Sequence, residues 1–199
     1  MKIRRVVTGH GHSGTGVVVS DEYVEPFAPD AGEKWSIWAA DATVTLPNDG
    51  TPPPFAGPLL PRPGGFHITA FTLPPRFDPD DLLGRDPVRA AELMRQAADA
   101  SHPFVPDPNP PGAHGDIPGS SAMHATASMD CLMQVSGESV WVLDEAEVRL
   151  RPGDWIILNG VAHSCRNDGD ETAVLIGVVI GARHEGVPLR SRVLYPPET

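Results

Sequence analysis

The chain has little cysteine, few basic residues and no long apolar stretch. Its two cysteines, Cys131 and Cys165, do not make a disulfide framework. Asp and Glu number 26 against 15 Lys and Arg, and the net charge of -11 at pH 7 argues against a nucleic-acid partner. No run approaches the ~20 apolar residues that cross a bilayer, and no signal peptide is recognisable. We therefore expect a cytoplasmic protein with reduced thiols and no membrane partner.

The length of 199 residues fits one domain with one core. The 23 prolines favour strands joined by turns over a helical bundle. We divide this single domain into N-terminal strands and loops, a helical and proline-rich insertion, a barrel core and a C-terminal extension. These segments are 1–78, 79–118, 119–181 and 182–199.

The N-terminal part predicts a hairpin, because short β-branched runs at 4–8 and 16–20 flank the sequence GHGHSG. His10 and His12 could form an HxH metal site, but the surrounding glycines favour an exposed turn. Alternation predicts further strands, and Asp86-Pro87 is a good helix start. The predicted strands are 35–39, 43–46 and 66–73, and the predicted helix is 87–100, as a packed flank or a lid.

The segment from Met123 to Asn167 organises the chain. If one strand runs from His124 to Val135, its even positions form a polar face that includes His124 and Asp130. Its odd positions form an apolar face, which is typical of core packing. The polar face would suit one side of a pocket in a barrel.

Turn signals divide the rest of the barrel core into short strands. Gly137-Glu138, Asp144-Glu145, the Arg151–Asp154 turn and Asn159-Gly160 each separate two of them. In the last polar strand, His163, Cys165 and Asn167 share one face. The predicted strands are 139–143, 147–150, 155–158 and 163–167, and the apolar run 173–180 is a buried strand.

The first half of this segment resembles the first motif of the cupin superfamily, G-x5-H-x-H-x3,4-E-x6-G. His124 takes the position of the first histidine, Asp130 that of the glutamate and Gly137 that of the closing glycine. Thr126 replaces the second histidine.

The second half resembles the second cupin motif, G-x5-P-x-G-x2-H-x3-N. Gly153, His163 and Asn167 match it, although the interval from the glycine to the histidine is one residue short. Asn159-Gly160 replaces the P-x-G turn. The HxT-x3-D pattern is similar to a group of bacterial small-molecule cupins, and the likeness is strongest over 119–181.

The resemblance implies an all-β double-stranded β-helix, or jelly-roll barrel, with a metal site in its mouth. By position, the implied ligands are His124, Asp130 and His163. The metal would be iron, manganese, zinc or nickel. Two imidazoles and one carboxylate are a facial ligand set with open positions.

Two alternatives to a three-ligand site stay open, because one histidine is lost. A pocket without metal could use the same residues for acid–base work, or His124 and Asp130 could be a hydrogen-bonded structural remnant. For substrate binding we predict four residues from alternation and motif position, with Gln134 orienting the substrate. They are Gln134, Cys165, Thr126 and Trp38.

The leading functional hypothesis is a metal-dependent enzyme that acts on a small organic molecule. Iron-dependent dioxygenation is slightly favoured over isomerisation, decarboxylation and dehydration, since similar barrels host all of these reactions. A non-catalytic small-molecule-binding barrel is the alternative, and a structural subunit is the third. Cupins pair through their sheets, so we expect a homodimer.

Overall fold

The computed structural model describes residues 1–26, 32–55, 60–79, 115–116 and 123–183. For residues 115, 116, 124 and 125, the structure describes the backbone and not the side chains. The predicted helix over 87–100 lies outside the described residues. Within the described part of the chain, no helix is long and apolar enough to span a membrane.

The described residues form short antiparallel strands in three sheets. In chain order the strands are β1 (Ile3–His10), β2 (Gly16–Val24), β3 (Lys34–Ala40), β4 (Phe66–Leu73), β5 (Gly115–Asp116), β6 (His124–Ala125), β7 (Ser128–Ser136), β8 (Ser139–Leu143), β9 (Glu147–Leu150), β10 (Trp155–Asn159), β11 (His163–Arg166) and β12 (Ala173–Gly181). Sheet A has the order β10-β7-β12-β4-β3, and sheet B has the order β5-β6-β11-β8-β9. The remaining sheet is the predicted hairpin, β1 with β2.

The hydrophobic core lies between sheets A and B, so the two sheets face each other and the predicted all-β barrel class is confirmed. Leu132, Leu158 and Leu175 of sheet A pack in one cluster with Trp141 and Leu150 of sheet B. Burying each such side chain stabilises the fold by roughly 1.5–3 kcal/mol. The core also defines the inner face of each strand, and therefore what can face a ligand.

The predicted strand over 43–46 is wrong. These residues pair with no strand and belong to the loop after β3. Val44 and Leu46 are 39% and 71% exposed. Their apolar character lines one wall of a cleft of about 380 Å³ that β1, β3 and this loop enclose. The alternation of Thr43, Val44, Thr45 and Leu46 therefore reflects apolar contacts of a loop and not a strand.

The predicted single strand from His124 to Val135 is also wrong, because the chain changes sheets at Thr126 and Ala127. β6 belongs to sheet B, whereas β7 belongs to sheet A. Alternation cannot be counted across such a corner. The argument that His124 and Asp130 share one face of one strand therefore fails, although both residues remain in the barrel.

The prediction that the polar even positions of β7 face the barrel interior is confirmed, whereas the prediction that its odd positions pack in the core is wrong. The even positions Ser128, Asp130, Leu132 and Gln134 are buried against the interior. The odd positions are only partly buried, and Val135 is 43% exposed. The polar face is therefore the inner one, and the apolar face lies on the outside of sheet A.

The outer face of sheet A is apolar across three neighbouring strands. Its most exposed side chains are Trp155 (58%), Ile157 (48%), Val135 (43%) and Ile176 (40%). The partly buried side chains between them are Met129, Cys131, Met133, Val174, Val178 and Ile180. A contiguous apolar patch of this kind is typical of an interaction surface.

The hairpin of β1 and β2 is attached to sheet A by an arginine. Arg5 donates a hydrogen bond to the carbonyl of Ile37 (3.0 Å) and lies 5.7 Å from the ring centre of Trp38. At the tip, Nδ1 of His10 is 3.0 Å from the carbonyl oxygen of Asn48, and His12 is exposed. These contacts therefore support the interpretation of GHGHSG as an exposed turn.

Candidate functional site

His163 is held at the start of β11 by the turn before it. Gly160 in that turn has a φ of 66°, which favours glycine. The His163 ring is buried, and its Nδ1 is 2.8 Å from the carbonyl oxygen of Val161. Because the carbonyl can only accept, this contact places the proton on Nδ1 and the lone pair on Nε2. In that tautomer, Nε2 is the ring nitrogen through which the histidine could bind a metal.

His124 lies opposite His163 in the backbone of sheet B. The single residue pair between β6 and β11 is His163 with His124. Directly opposed residues of antiparallel strands have Cβ atoms ~4.5–5.5 Å apart. The structure thus brings together the backbone positions of two of the three predicted ligands.

Asp130 is buried on the inner face of β7, at the end of a chain of hydroxyls. Its Oδ1 is 2.6 Å from Oγ of Ser128, which is itself 2.8 Å from Oγ1 of Thr126. A serine hydroxyl has one proton and a carboxylate only accepts, so Ser128 donates to Asp130. Thr126 then donates to Ser128.

This chain explains what Thr126 does where the cupin motif has a histidine. Thr126 is buried, and its hydroxyl supports Ser128 and, through it, the orientation of Asp130. Hydrogen bonds of this kind fix a carboxylate in place and are typical of groups behind a metal ligand. Its predicted substrate contact stays a prediction.

His67 is a further interior histidine, which is not among the site residues predicted from the sequence. It is fully buried in β4 and occupies the same cross-strand row as Asp130, with Val179 of β12 between them. Two strand spacings amount to about 10 Å. Nε2 of His67 is 3.0 Å from Oγ of Ser36, and the ring of Phe55 is 5.3 Å away. The signal that could have identified it is its alternation with Thr69 and Phe71.

Gln134 is fully buried, and its amide binds protein groups. Its amide Nε2 donates to the carbonyl of Ser136 (2.7 Å), and its Oε1 accepts from Oγ of Ser139 (2.6 Å). Ser139 also accepts from Nε1 of Trp141 at 3.2 Å. These contacts connect β7 to β8, so Gln134 joins sheet A to sheet B. Its predicted orientation of a substrate is not among them.

Cys165 lies between the sheets, packed against the hydrophobic core. Burial raises the pKa of its thiol to about 11, and the nearby Lys34 ammonium acts in the opposite direction. At neutral pH the thiolate that reacts is therefore scarce. The interior position predicted for Cys165 agrees with this packing, and its contact with a substrate stays a prediction.

Trp38 does not share the inner face that alternation suggested. A bulge between Ser36 and Trp38 inserts one extra residue and moves Trp38 into register with Ile68 on the outer face. There the indole packs against Arg5. The bulge cannot be read from the sequence WSIWA, because each residue in it is compatible with a regular strand.

The predicted metal ligands are the imidazoles of His124 and His163 and the carboxylate of Asp130. Among the described side chains, no group of three His, Cys, Asp or Glu residues is close enough to hold a metal ion. His124 has no described side chain, so this finding concerns Asp130 and His163 without it. Two imidazoles and one carboxylate, with the lone pair of His163 on Nε2, fit a divalent transition metal.

Comparison with known proteins gives likeness in fold. No protein-family model matches the chain, and no curated protein matches it significantly. Among solved structures, a Cupin 2 conserved barrel domain protein from Salinispora arenicola is 12% identical, with a TM-score of 0.38 over 79% of this chain and 82% of that one. The Cupin 2 domain of an XRE family transcriptional regulator from Enterobacter cloacae is 15% identical, with a TM-score of 0.32 over 59% of this chain and 83% of that one.

A sugar phosphate isomerase from a cupin superfamily, from Silicibacter pomeroyi, is also 15% identical. Its TM-score is 0.37, over 90% of this chain and 71% of that one. The class defined by fold and site is an all-β barrel of two facing sheets with buried histidine and aspartate side chains between them.

Proposed function

We propose that the chain binds a divalent metal ion between its two sheets and acts there on a small organic molecule. The observation that carries this proposal is the backbone pairing of His124 with His163, with the Asp130 carboxylate buried on the inner face of the other sheet. A bound metal would act as a Lewis acid or as a site for oxygen.

The residues of the chain support this role by positioning. The Val161 carbonyl orients His163, and the Thr126 and Ser128 hydroxyls orient Asp130. Two histidines with one carboxylate are typical of non-haem iron oxygenases. We therefore favour iron-dependent dioxygenation, with isomerisation, decarboxylation or dehydration as the related alternatives.

Elemental analysis of protein purified without a chelator or a metal-affinity tag tests this proposal. We expect near-stoichiometric metal in the wild type and its loss in His124→Ala, Asp130→Ala and His163→Ala. His12→Ala, which changes a histidine outside the barrel, is the matched control and should keep the metal. A wild type that takes up no iron, manganese, nickel or zinc would refute the metal site.

The second candidate is a non-catalytic barrel that binds a small molecule without metal. It is favoured by the finding that the described side chains alone form no group of three metal donors. Mass spectrometry of native protein distinguishes the two candidates. A tightly bound organic molecule in a metal-free protein supports the second one.

We also propose that the chain forms a homodimer through the outer face of sheet A. The patch of Trp155, Ile157, Val135 and Ile176 contains no charged residue, so two copies can face each other without burying a charge. Three strands ~4.8 Å apart and ~20 Å long cover roughly 300 Å² in plan.

Light scattering with size-exclusion chromatography tests the dimer. We expect a dimeric wild type and a monomeric Ile157→Lys, because the new charge would be buried at the interface. Val148→Lys is the control, since Val148 is a similarly exposed apolar residue (38%) on β9 of the other sheet. A monomeric wild type would refute the interface.

A further inference from the structure

The cleft of about 380 Å³ beside β3 is a concave space away from the candidate site. Its walls are strand β1, strand β3 and the loop over 41–54, and neither His163 nor Asp130 lines it. Trp38, one of its lining residues, is on the outer face of sheet A, whereas the hydrophobic core packs against the inner face. Its volume is at the lower end of the ~300–1,000 Å³ that is typical of small-molecule sites.

Two glycines hold the hairpin and the loop in backbone contact beside the cleft. A Cβ atom at Gly9 would overlap the carbonyl oxygen of Asp49. Gly50 has a φ of 83°, which favours glycine. The backbone N–H of His10 donates to the carbonyl of Asn48 at 2.8 Å. The loop is therefore fixed against the hairpin, and the cleft is a defined part of the fold.

Most of the side chains that line the cleft are apolar, and several of them stay exposed. Val6 of β1 is 48% exposed, and Val44 and Leu46 of the loop are 39% and 71% exposed. Exposed apolar side chains around a concave space are typical of a binding site. Trp38 and Phe66 contribute aromatic rings to the lining. These rings favour an aromatic ligand, because ring pairs attract each other beyond the effect of area burial.

Arg5 is the charged side chain in this lining. One terminal nitrogen of its guanidinium donates to the carbonyl of Ile37 at 3.0 Å, and the other pairs with Glu22. Its Nε is buried and donates to no group of the described chain. A guanidinium has five N–H groups, of which these contacts use two. A buried donor without a partner costs stability, so an acceptor atom of a ligand would be stabilising beside Arg5.

The ion pair with Glu22 determines which charge a ligand should have. Glu22 already balances the charge of Arg5, and the other polar lining residues, Thr8, Asn48 and Thr51, are neutral. The chain as a whole carries a net charge of -11, which repels anions. A neutral acceptor, such as the carbonyl oxygen of an amide, therefore fits the cleft better than a carboxylate.

We propose that this cleft binds an uncharged aromatic molecule that carries a hydrogen-bond acceptor. The ring of the molecule packs against Trp38 and Phe66, and its acceptor takes an N–H of Arg5. This site goes beyond the proposed function, because it lies on the outer side of sheet A and needs no metal. A second copy of the chain is the other possible occupant, since Trp38 pairs with Ile68 at the border of the proposed dimer patch.

The experiment is a titration of the full chain with benzamide, followed by NMR. Benzoate is the anionic comparison and cyclohexanecarboxamide the non-aromatic one, and we expect benzamide to bind more tightly than either. Val44→Trp fills the cleft from a partly exposed position and should weaken benzamide binding at least tenfold. Val18→Trp is the matched control, because Val18 is 64% exposed on β2 and does not line the cleft.

Two further variants test the role of Arg5 and the place of binding. Arg5→Lys keeps the charge opposite Glu22 but has fewer donors. Loss of a hydrogen bond to a charged group corresponds to about a tenfold weakening, which we expect for this variant. His163→Ala should bind benzamide as the wild type does, because His163 is not in the cleft.

Several results would overturn the proposal. They are no binding of benzamide to the wild type, equal binding by the wild type and either Val44→Trp or Arg5→Lys, and tighter binding of benzoate than of benzamide. Loss of binding in His163→Ala would place the molecule in the barrel instead. The oligomeric state of the same samples is measured by light scattering. A dimeric wild type with a monomeric Val44→Trp would assign the cleft to a second copy and would also contradict the proposal.

Discussion

Asn167, directly after β11, fixes the end of the barrel with one buried amide. Its Nδ2 lies 3.0 Å from the carbonyl oxygens of Leu73 and Pro74 and 2.8 Å from that of Glu171. Its Oδ1 accepts the backbone N–H of Gly169 at 2.9 Å. The residue is 1% exposed. We therefore expect Asn167→Ala to be among the most destabilising polar substitutions of the chain.

The magnitude follows from the number of bonds that the amide can make. Its nitrogen has two protons, so it satisfies two of the three carbonyls fully at any time, and the oxygen accepts one bond. At a net value of about 1 kcal/mol for each bond, Asn167→Ala loses about 3 kcal/mol. For a chain of this size that corresponds to a fall in Tm of about 6–12 °C.

The assay is urea denaturation, followed by circular dichroism and tryptophan fluorescence. Asn167→Asp keeps the shape and the acceptor but places a carboxylate against carbonyl oxygens. It should lose more stability than Asn167→Ala at pH 7 and should recover as acid protonates the carboxyl group. Asn159→Ala, at an exposed asparagine, should change stability by less than about 0.5 kcal/mol. A loss below about 1 kcal/mol for Asn167→Ala would refute the reasoning.

Three further predictions concern the interior. Because burial lowers the pKa of Lys34, the folded chain releases that proton at lower pH than the unfolded chain. Stability should rise with pH between the lowered and the ordinary pKa, and Lys34→Met should be more stable at pH 7 and lose this rise in urea titrations. Since the Cys165 thiol has a pKa of about 11, its alkylation by iodoacetamide should accelerate up to that pH in folded protein. Rapid labelling of Cys165 at neutral pH would contradict this. Ser128→Ala should weaken metal affinity about 10–100-fold, measured by competition with a chelator, and an unchanged affinity would show that Asp130 needs no support.

Local turn signals made much of the fold predictable. The strand over 66–73 and the hairpin of 139–143 with 147–150 have the predicted bounds, because glycine and acidic turns delimit them. The hairpin at the N-terminus and the buried strand beginning at Ala173 are also confirmed. Such signals depend only on residues that are close together in the sequence, so they can be recognised without knowledge of the structure.

What the sequence could not show depends on residues far apart in the chain. The bulge before Trp38 and the change of sheet at Thr126 both reset alternation without any local mark. For the site, the motif positions led to His163 and Asp130, which are buried inside. His67 was not selected, because alternation groups it with Thr69 and Phe71 without showing which face of β4 is the inner one, and that follows from the pairing with β12.

The central place of β12 in sheet A has a consequence for how the chain folds. β12 lies between β7 and β4, and it joins residues 66–73 to a strand more than 90 positions later. During synthesis, the edge of β4 that faces away from β3 and the edge of β7 that faces away from β10 remain unpaired until β12 has left the ribosome. Non-local pairing of this kind folds slowly and exposes strand edges. Nascent chains should therefore be most prone to aggregation just before β12 emerges, and chaperone dependence should end when it does.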